Sequence, residues 1–100
     1  MDKIKGIYWT PKAKKNIHEI VEYISRDSEY NAKIFTKKLI NSTRRLKNHP
    51  YSGRKVPEYN IPTLREIIYR PYRIIYRVNE KESQIEILTV YHGSRLLEDL

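Results

Sequence analysis

Along the first half of this chain apolar residues recur at helical spacing, and along the second half they recur at every second position. Ala13, Ile17, Ile20, Val21 and Ile24 form one stripe, while Lys12, Lys14, Lys15, Glu19 and Glu22 take the other faces. Thr10-Pro11 marks where this helix starts, with threonine as the N-cap and proline at the first helical position, where no amide donor is needed. The stretch from Ser25 to Ser28 breaks the pattern. Ser28 can cap a second helix, with Glu29 in its first turn, where the helix dipole favours an acid. Ala32, Phe35, Leu39, Thr43 and Leu46 make the second stripe, which stops near Asn48-His49-Pro50. Two amphipathic helices joined by a tight turn form a hairpin that must lay its apolar stripes on a further surface.

The second half supplies that surface. Residues 64 to 95 predict three consecutive strands. On the middle one Tyr72, Ile74, Tyr76 and Val78 fall on one face, and Arg73, Ile75 and Arg77 on the other. Arg70-Pro71 reads as the turn before it, and the polar run Asn79 to Ser83 as the turn after it. Residues 85 to 91 carry few charges and predict an inner strand. Ile4 to Trp9 predicts a first strand, which must pair within the same sheet to satisfy its backbone. Tyr51 to Thr63, with Gly53, Pro57 and Pro62, resists assignment and reads as a loop, the kind of element that often carries function. The order is β-α-α-β-β-β, an α+β fold: an N-terminal strand, then a two-helix antiparallel hairpin packed on a small, mainly antiparallel sheet. The other sheet face is expected to be basic and open. Arg73, placed there, is expected to be replaceable by alanine with the fold intact.

One hundred residues predict a single domain spanning 1–100, and 39% hydrophobic residues suffice for a modest core. The chain has no cysteine, which excludes disulfides and thiolate-ligated zinc. No apolar run approaches the ~20 residues that span a bilayer, and the N-terminus lacks a signal-peptide core. These features predict a cytoplasmic protein without membrane contact. Net charge changes the picture more. It is +8 overall, and residues 44–77 alone carry nine basic side chains against Glu58 and Glu66. Seven of those nine are arginine, the side chain best suited to bidentate contact with phosphate or carboxylate. A segregated charge of this kind points to a polyanion or an acidic protein partner; the plain alternative is a solvated surface.

The segments AKKNIHEIVEYISRDS, HPYSGRKVPE, LREIIYRPYRIIYRV and ILTVYHGSR together resemble the RelE/ParE superfamily, the toxins of type II toxin–antitoxin modules. The details of HPYSGRKVPE and of LRE followed by PYRIIYRV are most similar to the ParE-like, plasmid-stabilisation branch. The resemblance covers almost the whole chain. It implies a toxin neutralised by a cognate antitoxin in a hetero-oligomer. No cofactor is expected, and since His18 and His49 lie on a helix and at a helix end, apart from His92, no metal site is expected either. ParE-like members poison DNA gyrase by binding it. RelE-like members are ribosome-dependent mRNA endoribonucleases, in which a ribose 2′-hydroxyl attacks the adjacent phosphate. That chemistry needs a base, cations for the developing charge and an acid for the leaving oxygen.

The resemblance also sorts the candidate residues. Arg73 matches the arginine of the family's YR pair, and Arg65 matches an arginine typical of the ParE-like branch. His92 matches the general acid/base position of some nucleases, although a histidine is usual there in the ParE-like branch too. His92 and Arg73 are therefore the catalytic candidates if the protein is a nuclease. Arg54, Lys55, Arg65, Arg70, Arg73, Arg77, Tyr91 and Arg95 are the candidates for contact with a target or nucleic acid. Plain structural readings stand beside these: Arg73 as a solvated strand arginine flanked by aromatics, Arg65 pairing with Glu58 or Glu66, His92 as a hydrogen-bonder, Arg95 tying the tail to the sheet; Tyr72 and Tyr76, which could stack bases, read more simply as core. Ile68 stands at about the position where the nucleases place a further arginine, which favours gyrase inhibition and leaves the endoribonuclease as the alternative. A simple basic nucleic-acid-binding module is the third reading.

Overall fold

The computed structural model describes residues 3–94, and Arg95 and the tail beyond it lie outside that range. The elements run β1 (Gly6–Trp9), α1 (Pro11–Ser25), α2 (Glu29–Arg44), a 3-10 turn (Arg45–Lys47), β2 (Arg54–Lys55), β3 (Leu64–Tyr69), β4 (Tyr72–Asn79) and β5 (Gln84–His92). The helix starts form as their capping residues dictate. Thr10 Oγ1 accepts from the Ala13 amide at 3.2 Å, and Ser28 Oγ accepts from the Asn31 amide at 3.1 Å. The Thr10 hydroxyl also donates to the Ile87 carbonyl at 2.9 Å, so the cap of α1 doubles as its attachment to β5.

The five strands form one sheet in the order β1-β5-β4-β3-β2. β1 runs parallel to β5, and every other pairing is antiparallel. β1 covers the outer edge of β5 only from Gln84 to Ile87. Beyond that point α1 satisfies the edge with side chains: Asn16 Oδ1 accepts from the Val90 amide at 3.0 Å and from the Thr89 hydroxyl at 2.8 Å. The helical hairpin lies on the sheet face that carries Ile67, Ile74, Tyr76, Val78, Ile85, Ile87 and Val90, and Leu39 and Leu46 complete this core. Each large side chain fully buried here stabilises by about 1.5–3 kcal/mol. Tyr76 reaches through the core, donating to the Pro50 carbonyl at 2.8 Å and accepting from the Gly53 amide at 3.0 Å. Tyr72 is half-buried, with its ring edge-on to Phe35 at 5.4 Å.

The predicted element order holds, with three differences. The first strand starts at Gly6 and not at Ile4, which instead enters the core. The stretch taken as a loop contains β2, too short for its alternation to be visible in the sequence. The second sheet face is not open. Val56 folds over it and joins Leu64 and Ile75 in a small second core, flanked by Leu88 and Tyr91. A bulge assists this: Ile75 pairs with Thr89 and Tyr76 with Ile87, which leaves Leu88 as the extra residue. Among the described residues no helix is long and apolar enough to cross a membrane.

Candidate functional site

The second face is organised by two acids set among arginines. Glu66 has no side-chain exposure and sits between Arg54 and Arg73. Arg73 Nε donates to Glu66 Oε1 at 2.7 Å, and Arg54 Nε donates to the other carboxylate oxygen. The Arg73 fork is filled from the opposite side, with Nη1 and Nη2 donating to the two oxygens of Glu58 at 2.7 and 2.8 Å. The guanidinium lies 5.4 Å from the centre of the Tyr91 ring. The Tyr91 hydroxyl is buried in the field of these charges without a hydrogen bond of ordinary geometry, and burial pushes its pKa up, with Arg73 opposing. Arg73 is 9% exposed, not solvated. The expectation of a free arginine on an open basic face is therefore corrected, and with it the expectation that alanine is tolerated there.

Electrostatics follow from this arrangement. The hydrogen bonds from Arg73 hold Glu58 at about 2 against an ordinary 4.5, with burial opposing. The Glu58 bonds raise Arg73, against the cost of its burial, and Glu66 adds to the rise. Because the folded pKa of Glu58 is depressed, its contribution to stability is fully present above about 4.5 and is lost as pH falls toward 2. The difference in denaturant midpoint between the wild type and Glu58→Gln should accordingly shrink as pH falls through that window. A difference that stays constant would place no working ion pair at Glu58.

The remaining candidates are dispersed. Arg77 donates to Glu86 from Nε at 2.7 Å and also from Nη2. Arg65 pairs with neither Glu58 nor Glu66. Its Nε donates to the Pro62 carbonyl at 2.8 Å, Nη1 to the Gly53 carbonyl at 3.2 Å, and the group stacks 5.0 Å above Tyr51. Lys55 is exposed on the edge strand, and Arg70 is exposed at the β3–β4 turn. His92 is exposed at the end of β5. Its Nδ1 accepts from the Ser94 amide at 3.2 Å and lies 2.7 Å from the Ser94 hydroxyl, which puts the proton of the neutral ring on Nε2. Its ring is edge-on to Tyr72 at 5.7 Å, at the rim of a 530 Å³ groove lined also by Asn16, Glu19 and Tyr23.

Register then separates the two catalytic candidates. Tyr72 pairs with His92, and Arg73 pairs with Tyr91. Neighbouring residues on a strand point to opposite faces, so His92 goes with Tyr72 to the helix side and Arg73 goes with Tyr91 to the other. Among the described residues no three of His, Asp and Glu gather as a metal site.

The chain matches the family described as ParE toxin of type II toxin–antitoxin system, parDE, over residues 7–97. It belongs to the ParE toxin family. A relative from Sinorhizobium fredii, the candidate toxin Y4kP, is 33% identical over 91 residues, which is 89% of this chain and 88% of the relative. The fold is similar to that of a chain of the chromosomal ParDE system from P. aeruginosa, with TM-score 0.72 and 20% identity, covering 91% of this chain and 98% of that one. It is also similar to a chain of the toxin–antitoxin complex RelBE2 from Mycobacterium tuberculosis, with TM-score 0.62 and 17% identity, covering 87% and 95%. The protein is thus a type II toxin of the RelE/ParE superfamily on the ParE side, as its sequence motifs imply.

Within this ParE toxin, sequence reasoning missed Asn16, which closes the β5 edge, and Gly53, whose backbone meets both Tyr76 and Arg65. The signal for Glu66 was present, since it alternates with Leu64 and Ile68 on the strand face shared with Arg73. The signal for Glu58 was not, because nothing local fixes which arginine it reaches.

Proposed function

We propose that this toxin poisons DNA gyrase by binding it, that it does so in the cytoplasm, and that a cognate antitoxin neutralises it by covering its surface in a hetero-oligomer. One observation carries the choice of inhibitor over nuclease: His92 and Arg73 face opposite sides of the sheet. A ribonuclease of this kind must bring a phosphate-holding cation and a proton donor to one phosphodiester. Here the strand arginines Arg73 and Arg77 are neutralised by Glu58, Glu66 and Glu86. Binding by surface complementarity needs neither group free. For an antitoxin, the toxin offers exposed Tyr23 and Tyr30 on the hairpin and an apolar groove between the helices lined by Trp9, Ile17, Val21 and Ile40. Exposed Lys55, Arg70 and Arg54 supply the charge that an acidic segment meets, and Arg95 completes the set of proposed contacts.

The test uses purified toxin in two assays, gyrase supercoiling and cleavage of mRNA in programmed ribosomes. The toxin should inhibit supercoiling and leave the mRNA intact, and His92→Gln should inhibit as well as the wild type. Loss of a general acid costs about 10²–10⁴ in rate, so a nuclease would betray itself by that fall. Ribosome-dependent cleavage, abolished in folded His92→Gln, would replace gyrase with the ribosome as the target.

A further inference from the structure

Glu58 and Glu66 both hold Arg73, but they hold it differently. Glu66 is wholly buried on β3, whereas the Glu58 side chain is 35% exposed on the segment between β2 and β3. That segment is tied at its ends by the Val56 amide donating to the Leu64 carbonyl at 3.2 Å. Its C-terminal end is also held, by the Val78 amide donating to the Thr63 carbonyl at 2.8 Å and Arg65 Nε to the Pro62 carbonyl, whereas before that its backbone bonds are local turns, Tyr59 and Asn60 to the Val56 carbonyl and Leu64 to Ile61. Asn60 takes a left-handed φ of 52°. Pro57 to Pro62 are all exposed, so little apolar burial fastens this stretch. Beneath it, the Tyr91 hydroxyl has a proton to donate and no acceptor in place.

We propose that Glu58 is a tethered stand-in for an acidic side chain of a partner protein. The turn carrying Glu58 swings out between its fixed ends at Val56 and Pro62. The partner's aspartate or glutamate then takes the Arg73 fork and accepts from the Tyr91 hydroxyl. Exchanging one carboxylate for another leaves the charge around Arg73 and Glu66 balanced, so the exchange does not strand a buried ion. The surroundings select a peptide over a nucleic acid. Ile68, the cross-strand neighbour of Arg73, is 44% exposed, and Ile61, three residues after Glu58, is 45% exposed, so the surface a partner meets here carries exposed apolar side chains. A sugar–phosphate backbone needs further free cations along its path, and Arg77, the next arginine on the Arg73 face of β4, is already paired with Glu86. The proposal rests on the toxin reading only for the existence of a protein partner, and is indifferent to the target.

The tether makes a measurable prediction. A competitor held on a short chain acts at millimolar effective concentration, so its removal should raise the affinity of a weak carboxylate site by about tenfold. The probes are a fluorescein-labelled short peptide alternating glutamate with leucine and a labelled short single-stranded RNA, read by anisotropy on the full chain. Glu58→Ala should bind the peptide about tenfold tighter than the wild type. Glu82→Ala, which removes the same charge from an exposed turn, should not. Adding Tyr91→Phe to Glu58→Ala should take back part of the gain. In the wild type, saturation with the peptide should shift the amide resonances of Tyr59 and Asn60, which keeps the test open if Glu58→Ala folds poorly. Equal gains in Glu58→Ala and Glu82→Ala, or Tyr59 and Asn60 resonances that stay fixed at saturation, would overturn the proposal. A gain for RNA and not for the peptide would overturn it as well. Since anisotropy reads binding to the toxin alone, a negative supercoiling assay leaves this result standing, and the reverse also holds.

Discussion

Glu66→Ala is expected to destabilise the toxin by about 3–5 kcal/mol, the usual cost of stripping one partner from a buried ion pair. Glu66 has no exposed side-chain surface, and two guanidinium groups converge on it. Its removal leaves Arg73, itself 9% exposed, with Glu58 alone, and leaves the space of a wholly buried side chain unfilled. In a domain of this size each kcal/mol moves Tm by about 4–8 °C, so Tm should fall by about 12 °C or more. Arg73→Ala should fall comparably, because it leaves the buried Glu66 with only the largely exposed Arg54 and Glu58 without its ion-pair partner. Arg54→Ala should cost only about 0–1 kcal/mol, since the Arg54 side chain is 60% exposed. The contrast separates a buried cluster from a surface one. Replacing Glu58, Glu66 and Arg73 together by apolar residues of similar volume should recover most of the loss, because the one charge then left without its partner, Arg54, is 60% exposed and solvated. Thermal melts in which Glu66→Ala stays within about 1 kcal/mol of Arg54→Ala would mean that water reaches Glu66 and that the cluster is not a buried one.

This cluster also marks where the sequence stops being informative. The helices were legible because their signals are local: Thr10 before Pro11, Ser28 before Glu29, and apolar stripes that repeat within a few residues. β3, β4 and β5 were legible for the same reason, their alternation lasting long enough to count. Two residues cannot display a period of two, so β2 was hidden. Which edge β1 joins is a non-local choice. The answer, parallel to β5, turns on Thr10 and Asn16 meeting carbonyls and amides more than seventy positions away. The alternation Arg73-Ile75-Arg77 describes a face with charges on it, and it does not say whether a later fold of the chain covers that face. Val56 and Glu58 cover it here, from a stretch whose prolines and glycine announce only irregularity. The candidate site was therefore legible as a set of residue types, and its geometry was not. The family resemblance made His92 and Arg73 the catalytic candidates together, yet register sends them to opposite faces.

Gly53→Ala should have an effect of similar size, for a different reason. Gly53 is buried, and its φ lies outside the left-handed region, so alanine's backbone preference is not the obstacle. Space is. A Cβ there would stand 2.5 Å from the Glu66 carbonyl oxygen and 2.7 Å from the Tyr76 hydroxyl. The first neighbour is backbone in a central strand pair, and the second is a ring held at 0% exposure, so neither moves easily. The chain must retreat, and the bond from the Gly53 amide to Tyr76 and that from Arg65 to the Gly53 carbonyl are stretched with it. Overpacking and a lost buried hydrogen bond together amount to about 2–5 kcal/mol. β2 pairs with β3 immediately after Gly53, so that edge should loosen first, and the amides of Lys55 and Val56 should lose hydrogen-exchange protection ahead of β4 and β5. Gly6→Ala is the matched control: its Cβ would meet nothing within 4 Å, and its melting curve should stay close to that of the wild type. Equal Tm values for Gly53→Ala and Gly6→Ala would show that the segment from Pro50 to Lys55 stands off the sheet. Tyr76 would then not be the post against which the toxin's basic edge is set.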